Sequence, residues 1–109
     1  MTRDKESLFD IVEAIEKILA YTKGVRFEEF QLNEEKQDAV LRRILVIGEA
    51  TKRLSAEFKT RHSQIPWKEI AGMRDIVVHD YNRIDLETIW DVVQNDLPEL
   101  VQFLNSLQE

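Results

Sequence analysis

The chain has 109 residues, 43% of them hydrophobic and 33% charged, and its 15 basic against 21 acidic residues leave a formal net charge of −6. That length suits a single domain over residues 1–109, and the acidic balance excludes a protein that coats nucleic acid or anionic membrane with its whole surface; a polyanion would have to meet a local basic pocket. With no cysteine, disulfides, thiolate metal sites and cysteine nucleophiles are excluded, and His62 and His79 alone are too few for a His-rich zinc site. No apolar run approaches the roughly 20 residues of a membrane span, and the charged start Met1-Thr-Arg-Asp-Lys-Glu6 is no signal peptide. The expectation is a soluble cytoplasmic protein with no membrane association.

Three Gly and two Pro punctuate the sequence, strand-like alternation is missing, and the helical period wins nearly everywhere. The first amphipathic stretch runs from Asp4 to Thr22, with Leu8, Ile11, Val12, Ile15, Ile18 and Leu19 as one stripe and Gly24 placed to end it. A short segment with Phe27 and Phe30 follows, and Asn33 suits the N-cap of a second helix over Glu34–Phe58. There Val40, Ile44, Ile47, Thr51, Leu54 and Phe58 alternate spacings of four and three, a seam for neighbouring helices. The middle, Ile44-Leu-Val-Ile-Gly-Glu-Ala50, is apolar almost all round, as expected in a bundle centre or beneath a partner subunit. Gly48 costs this helix about 1 kcal/mol relative to Ala, which a close backbone approach could offset.

A third helix is expected from Pro66 to near Tyr81-Asn82, with Trp67, Ile70, Ala71, Val77 and Val78 on one face. The last begins after Asp85 as N-cap and carries Leu86, Trp90, Val93, Leu97, Leu100, Leu104 and Leu107. Pro98 lacks a donor, so a kink or break is expected near Asp96. The fold class is all-α: an antiparallel bundle of four long helices, with a short fifth where Pro98 breaks the last.

Several side chains do not fit a plain bundle. Arg74 falls on the same stripe as Trp67, Ala71 and Val78, and a guanidinium there needs a carboxylate, a phosphate or an opening to water. It could snorkel or pair with Glu49 or Asp75, or stand at the mouth of a cleft ready for a phosphate. His79 lies four residues after Asp75, so the two can touch; a carboxylate on one imidazole nitrogen leaves the other free for proton transfer. The plainer alternative is a helix-end histidine favoured by the dipole. Arg74 and His79 lie about 140° apart on a regular helix, so either the helix loosens after Val78 or a second copy completes a site. Tyr81 falls near the expected helix end, where its phenol could reach solvent or the same cleft. Glu49, a carboxylate in the apolar centre of the second helix, is either a rim residue or the buried partner that orients Arg74. His62 belongs to a polar connection with no specific task. Arg42-Arg43, Lys52-Arg53 and Lys59 to Arg61 are the only candidate polyanion track, although a solvated face is their usual meaning.

Taken in order, Ile47-Gly-Glu-Ala50, Ile65-Pro-Trp67, Arg74-Asp-Ile-Val-Val-His79-Asp-Tyr81, Trp90 and Leu97-Pro-Glu-Leu100 resemble the HepT family of HEPN-domain toxins. The similarity spans nearly the whole chain. The HEPN signature pairs an Arg with a His a few residues on, commonly with a polar residue after the Arg, and HepT proteins add a Tyr two places after the His. Arg74, Asp75, His79 and Tyr81 fill these places; Asp80 departs from the small residue frequent there.

The resemblance implies a metal-independent endoribonuclease that needs no cofactor and acts as a homodimer, the two motifs meeting in a cleft between subunits. His79 would move the proton and Arg74 would stabilise charge on the phosphorane, with Asp75 and Glu49 in support. It also implies a toxin–antitoxin pair with a nucleotidyltransferase antitoxin of the MntA type, and Tyr81 matches the tyrosine such partners modify with AMP. The competing reading is a non-catalytic helical subunit that presents substrate to a nucleotidyltransferase. Retention of Arg74, His79 and Tyr81 together favours the toxin, because a pure scaffold would need none of them.

Overall fold

The structure is a computed structural model that describes residues 2–75 and 85–108. Among the described residues every regular element is helical.

The first helix, α1, covers Thr2–Thr22. Its stripe is the core: Ile11, Ile15 and Ile18 are fully buried, with Leu8 and Val12 beside them. The chain leaves α1 through Gly24, whose φ of +73° is left-handed backbone that a side chain would strain. The Phe27 and Phe30 segment is itself a helix, α2, Phe27–Leu32. Gln37 donates from Nε2 to the carbonyls of Phe30 (2.9 Å) and Gln31 (3.0 Å), satisfying acceptors at its end.

Asn33 caps α3, Glu34–Arg53, its Oδ1 accepting from the Lys36 N–H at 3.0 Å. The two long helices run antiparallel. Lys36 Nζ donates to the Tyr21 carbonyl at one end, and Asp10 meets Arg53 and Asp4 meets Ser55 at the other. Val40, Ile44 and Ile47 from α3 interlock with the α1 stripe in one apolar cluster.

The single helix expected over Glu34–Phe58 is two. Leu54 turns extended (ψ 140°), and α4, Ala56–Arg61, starts afresh with Ser55 as N-cap, its hydroxyl accepting from the Phe58 N–H at 3.1 Å. The seam survives the break, since Leu54 and Phe58 both stay buried. After the connection, α5 spans Trp67–Ala71 with Trp67 and Ile70 buried. The helix expected from Pro66 to Tyr81-Asn82 is interrupted by a turn at Gly72 and is helical again at 73–75. Its remainder, with Val77 and Val78, lies outside the described residues.

Asp85 caps α6, Leu86–Asp91, through the N–H groups of Glu87 and Thr88. Trp90 packs against the buried Phe30 ring at 5.0 Å between centroids, so α2 lies against α6. The break near Asp96 takes a defined form: a π-helical turn at Val92–Asp96, where the Leu97 N–H bonds the Val92 carbonyl five residues back. Pro98 has no N–H for the Gln94 carbonyl, so the widened turn precedes it and α7, Leu97–Leu107, continues with Pro98 in its first turn. Leu8 and Phe9 share a cavity of about 690 Å³ with Leu107, while Leu19 and Thr22 share one with Pro98, so α7 runs antiparallel to α1. None of the described helices is long and apolar enough to cross a membrane.

Candidate functional site

Arg74 stands where the chain re-enters helix after α5, and α5 is anchored at its start. The Trp67 indole donates from Nε1 to the His62 carbonyl at 3.0 Å, and its ring packs against Phe58. Ile70 carries the next turn into the core at 2% exposure. The Gly72 N–H returns to the Lys68 carbonyl at 3.0 Å, and the Asp75 N–H bonds the Gly72 carbonyl at 2.9 Å. The Arg74 backbone is thereby brought over the middle of α3.

Gly48 is what α3 presents there. A Cβ built on Gly48 would sit 2.9 Å from Arg74 Cβ, 3.2 Å from the Ala71 carbonyl oxygen and 3.4 Å from Arg74 Cγ. The missing side chain thus sets how closely the two segments approach, the compensation expected for a glycine in a long helix.

Next to it, Glu49 takes the charge. Arg74 Nε lies 3.0 Å from Glu49 Oε2, with the two side chains 31% and 52% exposed. Of the two alternatives for Glu49 the rim is the one found: the carboxylate is exposed, not buried, and it meets Arg74 from that rim. Nε itself is buried and makes no aligned hydrogen bond, so the contact is an ion pair by distance rather than a directed bond. At this exposure the pair contributes little stability, and its effect is to restrict where a flexible cation sits. A guanidinium with one edge against a carboxylate can still meet a phosphate with another, because its donors are arranged as a planar fork.

Asp75 is exposed on the same turn. His79 and Tyr81, and with them Asp80, lie outside the described residues. The ring of His62 packs tilted against Phe58 at 4.7 Å between centroids, which makes it a packing residue. Of the basic track, Arg53 pairs with Asp10 at 3.2 Å and Arg61 lies over the Phe58 ring, so part of it belongs to the bundle's own surface contacts. Among the described residues no group of three or more His, Asp or Glu side chains is placed to hold a metal ion.

The chain matches the family described as "Ribonuclease HepT-like" over residues 11–107. A Thermococcus cleftensis protein named "Probable ribonuclease HepT" is 43% identical over 96 residues, covering 88% of this chain and 87% of the relative. A Caldanaerobacter subterraneus subsp. tengcongensis protein whose name reads "Putative RNase" is 38% identical over 100 residues, 92% of this chain and 89% of its own. A Methanocaldococcus jannaschii protein whose name reads "Gamma-glutamylcyclotransferase and putative RNase" is 44% identical over 99 residues, 91% of this chain but 45% of its own length. No solved structure gives a significant match. With Arg74 held beside Glu49 over the α3 glycine, and a family match that runs from α1 to the end of α7, the chain belongs to the HepT-like HEPN ribonucleases.

Proposed function

We propose that this chain is the toxin of a toxin–antitoxin pair, an endoribonuclease that acts in the cytoplasm as a homodimer and uses Arg74 and His79 on the scissile phosphate. The observation that carries this reading is Arg74 itself, a cation kept at a partly open rim by Glu49 rather than sunk into the core. In the reaction, the ribose 2′-oxygen bonds to the adjacent phosphorus as the bond from phosphorus to the 5′-oxygen breaks. His79 moves the proton from the attacking hydroxyl towards the leaving oxygen. Arg74 offsets the charge gathered on the phosphorane, the task a metal would otherwise perform. Asp75, four positions before His79 in the sequence, would hold the imidazole in one tautomer.

The test is to express the chain in a bacterial host beside Arg74→Ala and His79→Ala. The unaltered chain is expected to arrest growth and, purified, to cleave RNA equally well with a metal chelator present. Arg74→Ala should lower cleavage about 10²–10³-fold and His79→Ala about 10²–10⁴-fold. Equal cleavage by all three would remove the motif from the mechanism, and no cleavage by any would favour the non-catalytic substrate-presenting subunit.

The antitoxin in this reading is an MntA-type nucleotidyltransferase that adds AMP to Tyr81, placing negative charge where RNA phosphate must approach. Incubation with that partner and ATP should raise the intact mass by one AMP, and Tyr81→Phe should prevent the gain. Equal modification of the phenylalanine variant would move the mark elsewhere.

A further inference from the structure

We infer that Gly48 is a positioning residue for the ribonuclease site: by having no side chain, it sets the place of the Arg74 guanidinium, which Glu49 then pins. The inference rests on the proposed role of Arg74 and goes one step behind it, to what puts that cation where it acts.

The contact distances decide the matter. A Cβ on residue 48 would come within 2.9 Å of Arg74 Cβ, closer than two such carbons ever sit. The atom it meets is the root of the arginine side chain, not its flexible end, so no rotamer change relieves the clash. Retreat is blocked on a second side, where the Ala71 carbonyl oxygen would be 3.2 Å away. The segment carrying Arg74 would have to lift off α3 as a piece, taking Nε from its 3.0 Å contact with Glu49. Helix stability gives the opposite pressure, since alanine is favoured over glycine in a helix interior by about 1 kcal/mol. The predicted variant is therefore a folded protein with a misplaced arginine. A displacement of about 1 Å at a reacting group can cost about 10²-fold in rate.

Gly48→Ala is the direct test, with Glu49→Gln as the second arm and two readouts. The first is kinetic: Gly48→Ala should lower kcat for RNA cleavage about 10²-fold while KM changes far less. Glu49→Gln, which keeps the shape but not the charge, should lose a smaller part. The second readout does not depend on activity. In a ¹⁵N-resolved NMR spectrum the Nε–H resonance of Arg74, identified by its loss in Arg74→Lys, should stand apart from those of exposed arginines. It should move towards them in Gly48→Ala. A resonance unmoved by Gly48→Ala overturns the inference, as does cleavage close to that of the unaltered chain when Arg74→Ala is inactive. If Arg74→Ala cleaves normally, the ribonuclease role of Arg74 fails on its own, and the resonance still reports whether Gly48 places the side chain.

Discussion

At the scale of the residue, Asp4 does the most with one side chain. Its Oδ2 accepts from the Ser55 hydroxyl at 2.7 Å and its Oδ1 from the Ser55 N–H at 2.8 Å, tying the start of α1 to the α3–α4 junction. The hydroxyl bond first, then the backbone bond, hold the carboxyl below its ordinary value of 3.8, against the opposing pull of burial. A lowered folded-state value means stabilisation that is complete above the unfolded value and lost as pH falls through the folded one, here below about pH 4. Asp4→Asn should therefore cost about 1 kcal/mol at neutral pH. The gap between the two proteins should close in acid as the native carboxyl takes up its proton. Thermal melts of both at neutral pH and near pH 3 check this, and a gap unchanged with pH would refute it.

The helices show where sequence reading succeeds and where it stops. The α1 stripe, the Asn33 and Asp85 caps and the end at Gly24 are legible because a helix's period and its caps are settled by residues within a turn of one another. The break between α3 and α4 is not, because the hydrophobic rhythm runs through it unchanged. What fixes Ser55 as a cap is an aspartate 51 positions earlier. Pro98 predicts a disturbance but not its form, which is a π-helical turn at Val92–Asp96 with Val93 and Leu97 both fully buried. The site divides in the same way. Arg74 and Glu49 stand out as charges in apolar stretches, yet spacing leaves open whether they meet, since they belong to different helices. Gly48 is marked as a close approach by its helical cost, but only the packed structure names Arg74 as the atom set it protects.

For the whole molecule, the proposed reaction asks Arg74 and His79 to serve one phosphate although five positions along a regular helix would set them about 140° apart. In the proposed dimer the answer is that they come from different chains. Leu45 and Val46, on the apolar middle of α3, stay only partly buried in the single chain, as a face with more to cover would. Mixing Arg74→Ala with His79→Ala separates the arrangements. With two-fold symmetry, each mixed dimer holds one site with both groups intact and one with neither, so about a quarter of full activity should return. If each chain supplies its own pair, mixing restores nothing.

The all-helical class, the α1 and α3 stripes, the Asn33 and Asp85 caps and the unusual charges can be read from the amino-acid order alone, because these depend on periodicity and on neighbours along the chain. That Glu49 meets Arg74, that Asp4 holds the Ser55 cap at the α3–α4 junction, and that Gly48 is the space in which the arginine stands emerge only in the packed molecule. Those are contacts between segments far apart in sequence. Their distances follow from how the whole core packs, which no local pattern encodes.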